Sequence, residues 1–401
     1  MLCPGASIRE EPVDIPMEQS PWPRDRGGMG TTTRKLLAAG TVVLACVPLT
    51  AAATNTSTLQ RDVNALYATG ATGVLAEVSG TARARAGAVP WDAKHRIAST
   101  TKAFVATVVL QLAGEDKIGL DDEVDQWLPG LVAANGNDGK RITVRQLLGH
   151  KSGLPDYLDD HPLEKATTPE EFRRERFRAY RPEQLVAMAL QHPPVFQPEE
   201  DKWAYSNTNY VLAEMIIEQA TGAPWQQAVH ERIVEPLGLK DTILTGTSAY
   251  LPSPRLAPHK RLQPGGPQVD VSTYVAGHGD ASIISTTSDV NRFFRALLGG
   301  RLLKPAQLAE MQKTTPAEQY KPVWDEPGYG LGLMKRTTSC GEVVWFHGGG
   351  FLNAITDNAV TADGRRAVTV LIASAVEPGQ VPIAQYKASA ALIDHALCGD
   401  R

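Results

Sequence analysis

The chain is short of the features that announce most function classes. Of its 401 residues only 4 are cysteine and 6% are aromatic, and 40 Lys and Arg face 44 Asp and Glu for a formal net charge of -4. A charge this near zero leaves no electrostatic footprint for nucleic acid, and no basic cluster or RNA-binding motif is present. No Gly-rich loop leads into a helix as a phosphate cradle does, so no nucleotide cofactor is indicated. Asp and Glu show no metal-ligand spacing. His150, His230 and His259 are scattered and read as packing or surface residues, so no metal is expected. Beyond one N-terminal stretch no apolar run reaches the length of a membrane span. What remains, 42% hydrophobic and 21% charged, is the composition of an ordinary globular protein long enough to bury a large core.

The N-terminus reads as a leader. Arg34 and Lys35 precede an apolar run from Leu36 to Pro48, and Thr50 to Ala53 supply small residues for cleavage, the pattern of a secretory signal peptide. Residues 1–28 have Pro, mixed charge and no periodicity, and read as an extension upstream of a start at Met29. The whole of 1–53 is therefore assigned to the leader and the mature chain is expected to be secreted.

The strongest internal signal is Ser99-Thr100-Thr101-Lys102 at the head of an apolar run from Ala103 to Leu112. Residues three apart share a helix face, which puts the Lys102 amine against the Ser99 hydroxyl. A helix N-terminus favours an oxyanion formed there, and burial lowers the pKa of a lysine until it serves as a base. Alone, the pattern is also that of an N-cap serine with a solvated lysine. Tyr205-Ser206-Asn207, just before the helical run 211–217, supplies a phenol for proton relay and an amide to hold a substrate carbonyl. His347-Gly348-Gly349-Gly350 follows the strand-like Val343 to Phe346. Glycines there let a substrate backbone approach and leave an N–H free for an oxyanion.

S-x-x-K, Y-x-N and H-x-G in this order resemble the penicillin-recognising serine hydrolases, in the branch of class C β-lactamases, DD-peptidases, D-aminopeptidases and related esterases. The segments 142–154, 205–210 and 329–333 are similar to that family as well, and within it the soluble extracellular D-alanyl-D-alanine carboxypeptidases are the best match. The resemblance implies an acyl-enzyme on Ser99, with Lys102 or Tyr205 as the base. It also implies an oxyanion hole from the N–H groups of Ser99 and Gly350, and substrate contacts from Asn207, His347, Gly348, Gly349 and Gly350. His347 stands where other branches carry lysine, so a weaker, pH-dependent attraction for a substrate carboxylate is expected. Met334, Gly348 and Gly350 occupy positions where the carboxypeptidases hold an arginine and two threonines on that carboxylate, and Arg336 is a candidate to take over. With Cys3 and Cys46 in the leader, Cys340 and Cys398 remain, and the resemblance pairs them in a disulfide worth roughly 4 kcal/mol. Two buried free thiols are the alternative.

The fold implied is an α/β (α+β), β-lactamase/transpeptidase-like one, an antiparallel sheet flanked by helices with an inserted mainly helical domain. Its sheet domain takes 54–120 and 275–401, and its helical domain 121–274. Strands are expected at 72–78, 281–285, 329–333, 343–346 and 367–373, with His347 coming from the edge strand. The expected activity is a secreted D-alanyl-D-alanine carboxypeptidase acting on peptidoglycan stem peptides. A D-aminopeptidase or small-ester hydrolase comes second, a β-lactamase third, and a penicillin-binding module is the non-enzymatic reading. D-Ala peptides or small esters are the expected substrates and β-lactams covalent ligands, with no nucleic acid, membrane span or cofactor.

Overall fold

Two largely apolar stretches, broken only by Glu77 and Thr369, set the centre of the protein. In the computed structural model, which describes residues 56–377 and 382–399, Gly73–Val78 (β1) and Ala367–Ala373 (β13) are buried at every position and pair antiparallel. Strands covered on both faces carry no polar alternation. The strands between them are Ala82–Gly87 (β2), His95–Arg96 (β3), His259–Arg261 (β4), Gln268–Asp270 (β5), Ile284–Ser285 (β6), Thr315–Pro316 (β7), Asp325–Tyr329 (β8), Met334–Thr337 (β9), Val343–Phe346 (β10), Gly349–Phe351 (β11) and Ala354–Thr361 (β12). The main sheet runs β2-β1-β13-β12-β10-β9-β8-β7, with β11 also on β12; β3 pairs β6 and β4 pairs β5 in two small sheets. The leader assigned to 1–53 lies outside the described residues.

Helices cover both faces. Thr56–Tyr67 (α1) buries Leu59, Val63 and Leu66, and Ile383–Cys398 (α5) buries Leu392, Ile393 and Leu397 in the same cluster, which takes in Val74, Val370 and Ile372 of the sheet. On the other face lie Thr101–Ala113 (α2), Thr208–Thr221 (α3) and Thr287–Leu298 (α4). In α2 only Gln111 and Ala113 escape full burial. An apolar surface all round marks a helix enclosed by protein. Residues 121–274 are mostly helices and loops, with one short hairpin, β4–β5.

Two expectations for the sheet change. Residues 330–333 form the turn between β8 and β9, with only Tyr329 in a strand. The glycines decide this. A Cβ on Gly330 would meet the Met311 carbonyl at 2.1 Å, and Gly332, at φ +72°, rests on α2, where a Cβ would lie 2.4 Å from Ala106 Cβ. The strand before His347 is also interior, since β10 lies between β9 and β12. Its continuation, however, is free. β10 and β11 pair β12 in unbroken register and amount to one strand interrupted at His347-Gly348. There Asn358 replaces the ladder, accepting from the His347 N–H at 3.3 Å and donating to the His347 carbonyl at 2.8 Å. β9 follows β10 only to Met334 opposite Phe346, so beyond that point it no longer covers the strand.

The Cys340–Cys398 disulfide is present and ties the β9–β10 turn to the end of α5. Among the described residues no helix is long and apolar enough to cross a membrane.

Candidate active site

Ser99 sits in the 3-10 turn Ala98–Thr100 that leads into α2. The turn is pinned from both sides. Ile97 N–H donates to the Ile283 carbonyl at 2.9 Å, and the Thr101 hydroxyl accepts from Ile283 N–H at 3.2 Å. The Thr100 hydroxyl donates to the His347 carbonyl at 2.8 Å. The two threonines inside Ser-Thr-Thr-Lys are thus the ties that hold the turn between β6 and the third motif. Ala98 takes φ +46°, a backbone that side chains other than glycine's rarely adopt. The free edge of β11 lies against this turn. A Cβ on Gly349 would fall 2.2 Å from the Ile97 carbonyl oxygen and 2.8 Å from Ser99 N, so only glycine fits.

Lys102 is fully buried one helical turn on. Its Nζ lies 3.1 Å from Ser99 Oγ, 2.7 Å from Asn207 Oδ1 and 2.8 Å from the Asp280 carbonyl oxygen. As an ammonium it fills three acceptors. As a neutral amine it gives two hydrogens to Asn207 and Asp280 and turns its lone pair to the Ser99 hydroxyl. Burial lowers its pKa to about 8, against the opposing pull of the Asp280 and Asp156 carboxylates. Tyr205 lies with its ring centroid 5.0 Å from Nζ, and the neighbouring Ser99 side chain favours its ionised form. Burial nevertheless pushes that phenol well above its ordinary value of 10.0. The two groups therefore differ: one loses its proton near neutrality and the other keeps it.

Asn207 precedes α3 and is spoken for on both sides of its amide. Its Nδ2 donates to Asp156 Oδ2 at 2.7 Å while Oδ1 holds Lys102. The expected grip on a substrate carbonyl gives way to a grip on the amine, with Nδ2 alone able to offer a second hydrogen to the cleft.

His347 is 2% exposed. Its Nδ1 donates to the Gly348 carbonyl at 2.7 Å, which leaves Nε2 to accept from the Tyr329 hydroxyl at 3.0 Å. Burial and the nearby Lys102 lower its pKa to about 3. The expected pH-dependent attraction for a carboxylate is corrected on this point: the ring is neutral throughout the working range. Arg336 is corrected too, because it is buried and its Nη1 lies 2.7 Å from Asp394 Oδ1, away from Ser99.

Several groups at the site carry no motif. Asp280 offers its main chain to Lys102 and accepts from the Tyr157 hydroxyl at Oδ2, 2.8 Å. Glu214, buried in α3, holds His278 Nδ1 at 2.7 Å and also accepts from Gly279 N–H, bracing the segment that ends in Asp280. His150 is fully buried behind Tyr205, ring centroids 4.2 Å apart, where its Nδ1 meets Ser206 N and Asn209 Nδ2. His230 and His259 are exposed. Among the described residues no group of three His, Cys, Asp or Glu is arranged to hold a metal ion.

Two cavities meet at Ser99, Tyr205 and Gly350. The first, about 220 Å³, lies against the helical block and is walled by Tyr157, Leu185, Tyr274 and Phe351, with Asn207 and Asp280 also in its lining. The second, about 430 Å³, lies on the side of His347 and Gly348.

The Beta-lactamase family matches residues 58–392. Among solved structures, a D-stereospecific amidohydrolase from Streptomyces sp. is 39% identical with a TM-score of 0.78, covering 86% of this chain and 100% of that one. D-amino acid amidase from Ochrobactrum anthropi SV3 is 25% identical with a TM-score of 0.70, covering 85% and 100%. Penicillin-binding protein 4* of Bacillus subtilis is 27% identical over 285 residues, 63% of this chain, and the match spans only 55% of that protein's own length.

Proposed function

Because the chain belongs to the beta-lactamase family of serine hydrolases, we propose that it hydrolyses amides and esters of D-amino acids bearing a free amino group, through an acyl-enzyme on Ser99. Neutral Lys102 takes the hydroxyl proton as Ser99 Oγ attacks the carbonyl, and Tyr205 relays it to the departing nitrogen. The N–H groups of Ser99 and Gly350 receive the oxyanion. Water then cleaves the ester by the reverse proton path. Lys102 is preferred to Tyr205 as base because its proton is the more easily lost.

The observation that carries the substrate reading is Asp280. Its Oδ1 has no hydrogen-bond partner among the described residues, and it lines the first cavity beside Asn207 and Ser99, where a substrate ammonium needs an acceptor. The aromatic walls of that cavity suit an apolar or aromatic side chain. The Streptomyces and Ochrobactrum proteins, named for D-stereospecific and D-amino acid amide hydrolysis, support the choice of the D series. This ranks the D-aminopeptidase reading above the D-alanyl-D-alanine carboxypeptidase one. Export through the leader remains part of the proposal, and the Cys340–Cys398 bridge supports an oxidising compartment.

The test compares D-phenylalanine p-nitroanilide, its N-acetyl derivative, the L enantiomer and a diacyl-D-Ala-D-Ala peptide. The free-amine D substrate is expected to turn over fastest, with acetylation costing at least about tenfold in kcat/KM. Faster release of D-alanine from the diacyl peptide would restore the carboxypeptidase. Stable labelling by fluorescent penicillin with no turnover of any substrate would favour the binding module.

A further inference from the structure

The second cavity is built for one sign of charge. Among its lining residues Asp357 is the one carboxylate, and neither lysine nor arginine is present. His347, also in the lining, is neutral. Asp357 lies in β12 and is 4% exposed. Its Oδ2 accepts from the Ser389 hydroxyl of α5 at 2.7 Å, and its Oδ1 accepts from Asn358 N–H at 3.0 Å. Oδ1 also lies 3.9 Å from the point where a Cβ on Gly348 would stand. A side chain at 348 would occupy the space in front of that oxygen; glycine leaves it reachable from the cavity.

The other walls fit the same ligand. Tyr320 and Trp324 lie with ring centroids 5.0 Å apart and line the cavity with Tyr386 of α5. Aromatic faces attract a cation, most of all where water is thin. Thr356, in the same lining, is 1% exposed and its hydroxyl has no partner. A buried hydroxyl without a partner is costly, and a ligand donor or acceptor relieves it.

We propose that this cavity receives the leaving group, and that the leaving group it selects carries a primary ammonium held by Asp357 and the faces of Tyr320 and Trp324. The preferred substrates are then D-aminoacyl amides of diamines or of basic amino acids joined through one nitrogen. The acyl half of this statement rests on the function proposed above, and the leaving-group half does not. As the Ser99 Oγ–C bond forms, the C–N bond breaks, and the nitrogen leaves with the proton that Ser99 gave up. The distal ammonium stays on Asp357 throughout. A leaving group ending in carboxylate meets the same aspartate and finds no cation. Burial pushes the Asp357 carboxyl above its ordinary value, while the Ser389 hydrogen bond and the Arg336 charge pull it back. A bound ammonium favours the ionised form further.

The experiment uses the full chain and three D-phenylalanyl amides of matched length, made from 1,4-diaminobutane, butylamine and 4-aminobutanoate. The diamine amide is expected to exceed the butylamine amide by about tenfold in kcat/KM, the size of one charge-assisted hydrogen bond, and the aminobutanoate amide by more. Asp357→Asn, checked for a native melting temperature, brings the diamine-to-butylamine ratio to within about twofold, and Trp324→Leu lowers the same ratio. Equal rates for the three amides, or a preference for the carboxylate, overturn the proposal. If none of the three turns over, the acyl reading has failed, and the cavity is then read through inhibition of p-nitrophenyl acetate hydrolysis. Stronger inhibition by 1,4-diaminobutane than by butylamine or butanoate supports the proposal, and equal inhibition refutes it.

Discussion

Asp280→Asn separates the charge of this residue from its main-chain role and so tests the assignment of Lys102 as base. The carbonyl that holds Lys102 Nζ at 2.8 Å belongs to the backbone and survives the substitution, and an amide oxygen still accepts from Tyr157. Only the negative charge is lost, and that charge is the leading influence opposing the burial that brings Lys102 to about 8. Removing it disfavours the ammonium, so the lysine gives up its proton at lower pH. At pH 7 a group titrating at about 8 is neutral in roughly a tenth of molecules. A downward displacement of about half a unit to one unit, the scale of one carboxylate several ångströms away in a partly polarisable interior, raises that fraction about three- to fivefold. The assay is the pH profile of kcat/KM with p-nitrophenyl acetate, which has no amine to be anchored by the lost carboxylate. Wild type rises through an acidic limb near pH 8, and the variant rises earlier, with a higher rate at pH 7. An acidic limb that stays in place, or moves upward, refutes Lys102 as the titrating base.

Gly349→Ala puts a methyl group into the Ile97 carbonyl and Ser99 N, forces β11 off the Ser99 turn, and is expected to cost about 1–3 kcal/mol of stability with a larger loss of acylation. A thermal melt and the rate of fluorescent penicillin labelling check the two parts. Replacing Cys340 and Cys398 by serine opens a link between residues 58 apart, and the unfolding free energy should fall by about 4 kcal/mol, read from urea titration with and without reductant. Tyr329→Phe leaves the buried His347 Nε2 without its donor and should destabilise by about 1–3 kcal/mol, less if the imidazole tautomer adjusts. No change on urea titration of that variant would mean the His347 hydrogen bond contributes nothing.

What the sequence revealed follows the range of the interaction involved. Ser99 and Lys102 were legible as a pair because three residues of helix bring them together, and β13 because its run is apolar apart from Thr369. The convergence of Tyr205, Asn207 and His347 on them is long-range and came only through the family resemblance. Asp280 gave no signal, since what it offers Lys102 is a carbonyl that every residue possesses. Glu214 acts on Lys102 only through the loop it braces, and His150 is a lone histidine until its ring is seen against Tyr205. The strand β12 was missed because Asp357 and Asn358, set in the middle of it, are poor strand formers. They are there for other reasons: Asn358 bridges the break at His347, and Asp357 reaches Ser389. In β2 the alternation of small and charged residues was a true period-two signal, Ala82 and Ala84 buried against Arg83 and Arg85 exposed, yet no strand was expected there.

The meeting of two chambers at a single hydroxyl has a kinetic corollary. With the acyl portion in the first cavity and the leaving group in the second, as proposed, the solvent molecule that frees the enzyme arrives through the space the first product vacated. Any amine that lingers there competes with water for the ester, slowing turnover or diverting it into synthesis of a new amide.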